Sequence, residues 1–175
     1  MQTTHSFTHF RSIIGCLLAC LIMAAPLPAQ ESSETGRTRT DPSQVNRQAK
    51  HLLDKALELI DYKQYERGLA MLNTVVRDNP GTTIAYQAHV EMGKHYLDKR
   101  KNKDALDHFL LLTRVLAPKP GEPLTKENEA IYHESLFQAG YAQYQSGQYA
   151  ACFPLFRRLT EVASRTKWAN MAYFY

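Results

Sequence analysis

The sequence has 175 residues, of which 44% are hydrophobic, and it carries 21 Lys and Arg against 17 Asp and Glu. This small positive charge is spread along the chain, so it gives no electrostatic reason to expect a nucleic acid or another polyanion as partner. Two of the three cysteines, Cys16 and Cys20, lie in an apolar N-terminal stretch. Once that stretch is removed, Cys152 has no partner for an intramolecular disulfide.

Residues 1–29 have the pattern of a secretory signal peptide. Their apolar run, residues 12–25, is about 14 residues long, which is shorter than a membrane-spanning helix and typical of a signal sequence. We expect cleavage after Ala29 and a periplasmic location, with an uncleaved membrane anchor as the alternative. The letters "LLAC" ending at Cys20 resemble a lipobox, but the apolar residues that follow make attachment to a membrane through lipidation the less favoured outcome.

Residues 30–41 are polar and predict a disordered linker. Asp41 and Pro42 then suit the start of a helix, and from there onward apolar residues recur at spacings of three and four, as in amphipathic helices. No segment alternates in the way that predicts a strand. Breaks between the predicted helices fall at residues 61–64, 79–81, 98–103, 117–123 and 146–148. The sequence therefore predicts an all-α fold whose helices form antiparallel pairs.

One four-position pattern occurs in three successive helix pairs. A small residue in the first helix is followed by a second small residue, then by a large residue and an aliphatic one in the second helix. The positions are Ala56, Gly68, Leu72 and Val75 in the first pair, Gly93, Ala105, Phe109 and Leu112 in the second, and Gly140, Cys152, Phe156 and Leu159 in the third. Paired helices cross closely where side chains are small, so these positions predict the core of each pair.

These units resemble tetratricopeptide repeats. The clearest copy has Met92, Gly93 and Tyr96 in its first helix and Ala105 and Phe109 in its second. The phrase "NPGTTIAYQAHVEMGKHY" is similar to the repeats of exported bacterial members, such as the cell-division coordinator of the Tol–Pal system and the barrel-assembly lipoprotein. The resemblance implies an α-α solenoid of antiparallel helix pairs over residues 42–175. Its units would span about 45–80, 84–118 and 125–165, with the start of a fourth from 167.

Two features depart from the repeat pattern. Pro154 lies inside the second helix of the third unit, where we expect it to remove a backbone hydrogen bond and to kink or delay the helix. The final residues, "TKWANMAYFY", resemble the opening of another first helix, without the polar capping helix that repeat arrays need for solubility. We therefore expect the sequence to be the N-terminal piece of a longer protein.

Residues with metal-binding or catalytic side chains do not form a recognised motif. His89, Glu91 and His95 are spaced so that the two histidines lie on different faces of a helix, and Asp104 with His108 makes only a pair. We expect these histidines to be solvated, with no metal and no cofactor bound. Because no nucleophile–base motif is present, we expect no enzyme activity, and Cys152 to be a core residue.

The basic stretch at residues 98–103 has four cations within six residues, but it lies at a predicted turn and has no interleaved aromatic residues. We expect neither a nucleic acid nor a small-molecule substrate to bind. The family resemblance instead implies a non-catalytic scaffold of the cell envelope that binds a protein partner, as a peptide or helix, in a concave groove. That partner could belong to an envelope complex or be membrane-associated.

The first helix of each unit would line this groove. The predicted groove residues are Leu53, Leu57, Ile60, Val90, Lys94, Leu97, Phe137, Tyr141 and Tyr144. This set is mostly apolar and aromatic with one cation, and internal packing of the same residues is an equal alternative. Two other functions stay open: an oligomerisation or spacer module of a larger envelope protein, and a repeat domain attached to an enzyme or transporter part beyond residue 175.

Overall fold

The computed structural model describes residues 42–175, and the regular structure there consists of seven helices without a strand. The predicted signal peptide, the predicted linker and Asp41 lie outside the described residues. The helices are α1 (Pro42–Asp61), α2 (Tyr65–Asp78), α3 (Thr83–Asp98), α4 (Asn102–Val115), α5 (Lys126–Gln145), α6 (Tyr149–Val162) and α7 (Lys167–Ala172). The prediction of an all-α fold is therefore confirmed for this part of the chain.

Each helix packs against the next one along the chain. In addition, α1 contacts α3, α3 contacts α5 and α5 contacts α7, so the odd-numbered helices form a row of neighbours. Every helix pair in contact lies within two helices of each other in sequence. The row of odd-numbered helices is the feature that positions the candidate site described below.

The twelve positions of the repeated pattern are all buried. In the second and third pairs, an aromatic ring lies directly over a glycine: a Cβ atom added to Gly93 would come within 2.5 Å of Phe109, and one added to Gly140 within 2.5 Å of Phe156. The first pair places Ala56 and Leu72 at the corresponding positions. A larger residue in the first helix is thus combined with a smaller one in the second, which keeps the packed volume similar.

The two helices of a pair are joined by the same tight turn in all three cases. Each turn contains one residue with positive φ, namely Lys63 at 62°, Arg100 at 56° and Gly147 at 73°. Around each of these residues, two backbone N–H groups donate back to the end of the preceding helix, as in Gln64 to Leu59 at 2.8 Å. This is the hydrogen-bond pattern of a Schellman motif, in which glycine is the preferred residue at the left-handed position.

Helix starts differ between the odd-numbered and even-numbered helices. Threonine side chains cap α3, α5 and α7, since Thr82, Thr125 and Thr166 each accept a hydrogen bond from the backbone N–H three residues later. The residues before α2, α4 and α6 make no such side-chain bond. A local capping signal therefore marks the beginning of α3, α5 and α7, whereas α2, α4 and α6 start directly from the preceding turn.

Of the two effects expected from Pro154, a kink or a delayed start, the structure shows no delay. The helix α6 begins at Tyr149 and continues through Pro154 to Val162. Proline lacks the N–H that would bond to the carbonyl of Ala150, but both residues are exposed, so water can solvate that carbonyl. The cost of the missing bond is therefore small enough for the helix to remain continuous.

Candidate partner-binding groove

The predicted groove residues divide into three groups in the structure. Leu53, Leu57 and Val90 line one cleft, with a volume of about 490 Å³, between α1, α3 and α5. Lys94 forms ion pairs between α3 and α5, and Phe137, Tyr141 and Tyr144 belong to a separate aromatic cluster. Ile60 and Leu97 do not line the cleft; both pack, partly buried, against the core of their helix pairs.

The floor of the cleft is apolar. Leu53, Val90 and Ile131 are buried residues contributed by α1, α3 and α5 respectively, and Leu57 is partly exposed beside them. Each of the three odd-numbered helices thus gives one buried aliphatic side chain to the same surface. This arrangement follows from the row of contacts between α1, α3 and α5.

The rim of the cleft is acidic. Asp54 from α1, Glu91 from α3, and Glu127 and Glu134 from α5 surround the apolar floor, together with the single lining cation Lys50. We name this cleft, with its four carboxylates, the acidic groove. Sequence reasoning missed the rim because it selected apolar positions. A signal was present, since Asp54 and Glu91 stand at equivalent positions of successive repeats, each directly after a floor residue.

Lys94 links α3 and α5 beside the acidic groove. Its Nζ lies 3.0 Å from an oxygen of Glu91 and 2.8 Å from an oxygen of Glu134, which is largely buried. Burial would lower the pKa of Lys94, but the hydrogen bonds and charges of Glu134 and Glu91 outweigh it and raise the pKa above its usual value. The predicted cation of the groove is therefore already engaged by the protein's own carboxylates.

Aromatic side chains fill the other end of the predicted groove. The ring of Tyr175 lies 5.0 Å from that of Tyr144, 5.4 Å from Tyr141 and 6.1 Å from Phe137, measured between ring centroids. Trp168 packs on Phe137 at 5.3 Å. We name these five residues the aromatic cluster. Phe137 is buried, whereas Tyr141 and Tyr144 are partly exposed, and all three contact the ring of Tyr175 after α7.

The expectation of solvated histidines is wrong for the central helices. His89 and His108 approach to 2.9 Å between their Nδ1 atoms, and Tyr96 stacks on His108 with 5.6 Å between ring centroids. His95 is buried beside the ring of Tyr65. The error arose because contacts between α3 and α4 depend on how the two helices are rotated against each other, which the spacing of histidines within one helix does not reveal.

The histidine pair is held in the neutral state. Burial, followed by the neighbouring charge of His108, lowers the pKa of His89 to about 4. Burial also lowers the pKa of His108, although Asp107 and Asp104 oppose this shift. With both rings neutral, one Nδ1 donates and the other accepts in the short contact. Within residues 42–175, no three metal-binding side chains group closely enough to hold an ion.

Cys152 is buried at its repeat position and donates its thiol hydrogen to the carbonyl of Tyr149 at 3.2 Å. Burial raises the pKa of the Cys152 thiol, which keeps it protonated and disfavours its use as a nucleophile. In the basic turn, Lys99 lies over the ring of Tyr65 with 4.1 Å from Nζ to the centroid. One cation of that stretch therefore packs against the protein itself.

None of the helices formed by residues 42–175 combines the length and the apolar character required to span a membrane. No protein-family model, no curated protein and no solved structure matches this chain.

Proposed function

We propose that the helix pairs form a tetratricopeptide-like solenoid and that the protein is a non-catalytic scaffold, which binds a partner peptide or helix in the acidic groove. The observation that carries this proposal is the groove itself, since Leu53, Val90 and Ile131 from three successive odd-numbered helices form one apolar floor. A floor shared by consecutive repeats is the kind of surface on which solenoid proteins bind extended or helical partners.

Three regularities support the solenoid arrangement. The buried small and bulky positions recur in each pair, and a residue with positive φ joins the two helices of each pair. In addition, a threonine caps the start of α3, α5 and α7. The first helices also contact one another in succession. Local structure and packing thus repeat with the same period, as expected when one structural unit is stacked several times.

The N-terminal sequence supports a location in the periplasm or at the cell envelope. Residues 12–25 provide the apolar run of a signal peptide, and the similarity of the repeats to those of exported bacterial proteins favours the same compartment. The proposed partner is therefore another envelope protein.

An oligomerisation or spacer module is the second candidate function. It is favoured by large exposed apolar side chains on α6 and directly after α7: Phe153 is 65% exposed, Tyr173 71% and Phe174 86%. Phe153 and Tyr173 line one surface cleft, and exposed apolar side chains that lie together are typical of a contact between protein chains. In this alternative, α6 and α7 would form the main contact and the acidic groove would be secondary.

Photo-crosslinking in living cells tests the groove proposal. A photoreactive amino acid replaces Gln87, a partly exposed residue that lines the groove, and a matched variant carries it at Lys103, exposed on α4. We expect the probe at position 87 to give discrete protein adducts that the probe at 103 does not give. Adducts between two copies of this chain would favour the oligomerisation module, and identical adduct patterns from both positions would contradict groove binding.

A further inference from the structure

The acidic groove differs in charge from the rest of the chain. Its four carboxylates belong to Asp54, Glu91, Glu127 and Glu134. They are accompanied by two cations, Lys50 of the cleft lining and Lys94 on α3, which pairs with Glu134. The groove therefore keeps two uncompensated negative charges in a sequence whose formal net charge is +4. A surface that is negatively charged on a chain whose net charge is positive attracts a positively charged partner.

Carboxylates lie on both sides of the apolar floor, on α1 and on α5, which form the two walls of the groove. Asp54 lies on α1, while Glu127 and Glu134 lie on α5, seven residues apart and hence on the same face of that helix. Asp54 makes only an exposed pair with Lys50 at 3.4 Å, and Glu127 forms no ion pair with any described residue. A helix N-terminus favours an acid at position 127. It does not account for Asp54 or Glu134, which lie in the middle of their helices.

The carboxylates of α3 and α5 already hold one cation of the protein itself. The ammonium group of Lys94 lies 3.0 Å from Glu91 and 2.8 Å from Glu134, and Lys94 stands four residues after the buried floor residue Val90 on α3. An ammonium group held by carboxylates at the edge of an apolar surface is the chemistry that lysines from another chain would repeat, one at Asp54 and one at Glu127.

We infer that the occupant of the acidic groove is an amphipathic segment that carries lysine or arginine beside apolar side chains. This inference rests on the proposed function and names the chemistry of its partner. The apolar residues of the segment cover Leu53, Leu57 and Ile131, and its cations reach Asp54 on one wall and Glu127 on the other. Peptides with an acidic face are repelled, because the groove keeps two uncompensated negative charges on a partly desolvated surface.

Two synthetic helical peptides of about 14 residues test this inference, since four turns span the three helices of the groove. One peptide combines leucine with lysine and the other combines leucine with glutamate at the same positions. Binding of each fluorescently labelled peptide to the purified chain is followed by anisotropy. We expect the lysine peptide to bind and the glutamate peptide not to bind. We also expect the affinity to fall as the salt concentration rises from about 0.05 to 0.5 M.

Charge-removing variants identify the binding surface. The double variant Asp54→Asn and Glu127→Gln should weaken binding of the lysine peptide by about 10-fold or more, since it removes one carboxylate from each wall. The control, Glu66→Gln with Asp107→Asn, removes the same charge from exposed positions on α2 and α4 and should change the affinity less than about 2-fold. Circular dichroism checks that both double variants keep the helical fold.

Three results would overturn the inference. The first is equal weakening by both double variants, which would mean general attraction to an acidic surface. The second is preferential binding of the glutamate peptide, and the third is no binding of either peptide. If discrete crosslinks from position 87 form nevertheless, the groove is a binding site for a partner of different chemistry, so the proposed function stands while this inference fails.

Discussion

The acidic groove and the aromatic cluster are built from equivalent positions of the repeat but have different surroundings. Leu53, Val90 and Phe137 correspond to one another, and all three are buried to a similar extent. At the next equivalent position, Leu57 lines the groove, whereas Tyr141 packs against Tyr175. Equivalent positions of the sequence pattern are thus buried to a similar extent in α1, α3 and α5, and the elements that pack beside them determine whether the next such position is exposed.

The largest expected effect tests whether the packing beside the aromatic cluster contributes more to the free energy of unfolding than a side chain of the acidic groove does. Phe156 lies over Gly140, and its ring is 6.0 Å from Phe137 and 5.9 Å from Tyr175. Phe156→Ala should lower the free energy of unfolding by about 3–5 kcal/mol, because the buried ring leaves a cavity. Leu57→Ala, at a partly exposed groove position, should cost about 1 kcal/mol.

Urea unfolding followed by circular dichroism and by the fluorescence of Trp168 measures both variants, since Trp168 is the single tryptophan and lies in the aromatic cluster. Similar losses for the two substitutions would remove the distinction between the two regions.

A smaller effect concerns the histidine pair between α3 and α4. Its equivalents in α5 and α6 are Leu136 and Leu155, so the region of the aromatic cluster has an apolar pair where the region of the groove has a titratable one. The folded chain keeps His89 neutral down to a pH of about 4, whereas an unfolded chain binds protons below the usual pKa of 6.5. The contribution of neutral His89 to the free energy of unfolding is therefore fully present above pH 6.5. It decreases as the pH falls toward 4, by at most about 1.4 kcal/mol per pH unit for each proton.

The double variant His89→Leu and His108→Leu should make the melting temperature less dependent on pH between 7 and 4.5 and raise it at the acid end. Thermal unfolding at a series of pH values measures this, with exposed His51→Gln as the control. Because His95 and His133 also have lowered pKa values, part of the pH dependence should remain. An unchanged slope in the double variant would show that the pair does not couple stability to pH.

The smallest effect concerns the turns within the pairs. The turn before α6 has glycine at the left-handed position, whereas the turns before α2 and α4 place Lys63 and Arg100 there. Gly147→Ala should destabilise the protein by about 1 kcal/mol, and Lys63→Gly should stabilise it by up to about 1 kcal/mol. Chemical unfolding measures both changes. Lys55→Gly, in the middle of α1, is the control and should be destabilising by about 1 kcal/mol; a loss for Lys63→Gly as well would contradict the conformational explanation.

Some of these features could be predicted from the sequence because they depend on local spacing. The small and bulky positions, such as Gly93 and Phe109, were identified from their repetition, and the structure buries all of them. The contact of His89 with His108 and the ion pair of Lys94 with Glu134 join different helices. They depend on the rotation and offset of helices, which the periodicity of a single helix leaves open.

The choice between groove and internal packing for Tyr141 and Tyr144 stayed open in the sequence for a related reason. Tyr141 and Tyr144 have the spacing of groove residues, and nothing near them in the sequence indicates that Tyr175 will cover them. In contrast, the acidic rim could have been found, because Asp54 and Glu91 stand at equivalent positions of successive units. Comparing polar as well as apolar residues between the aligned helix pairs would have identified one carboxylate on α1 and one on α3.

The restriction of contacts to helices at most two apart has a consequence for the order in which the described chain folds. Each new pair needs only the pair before it as a template, and its starting point is marked by its own threonine cap. Low contact order of this kind favours rapid folding, and it allows structure to grow from the N-terminal side during synthesis. The chain between α1 and α4 can therefore become ordered while α5 to α7 are still being made, and the acidic groove is completed when α5 joins α3.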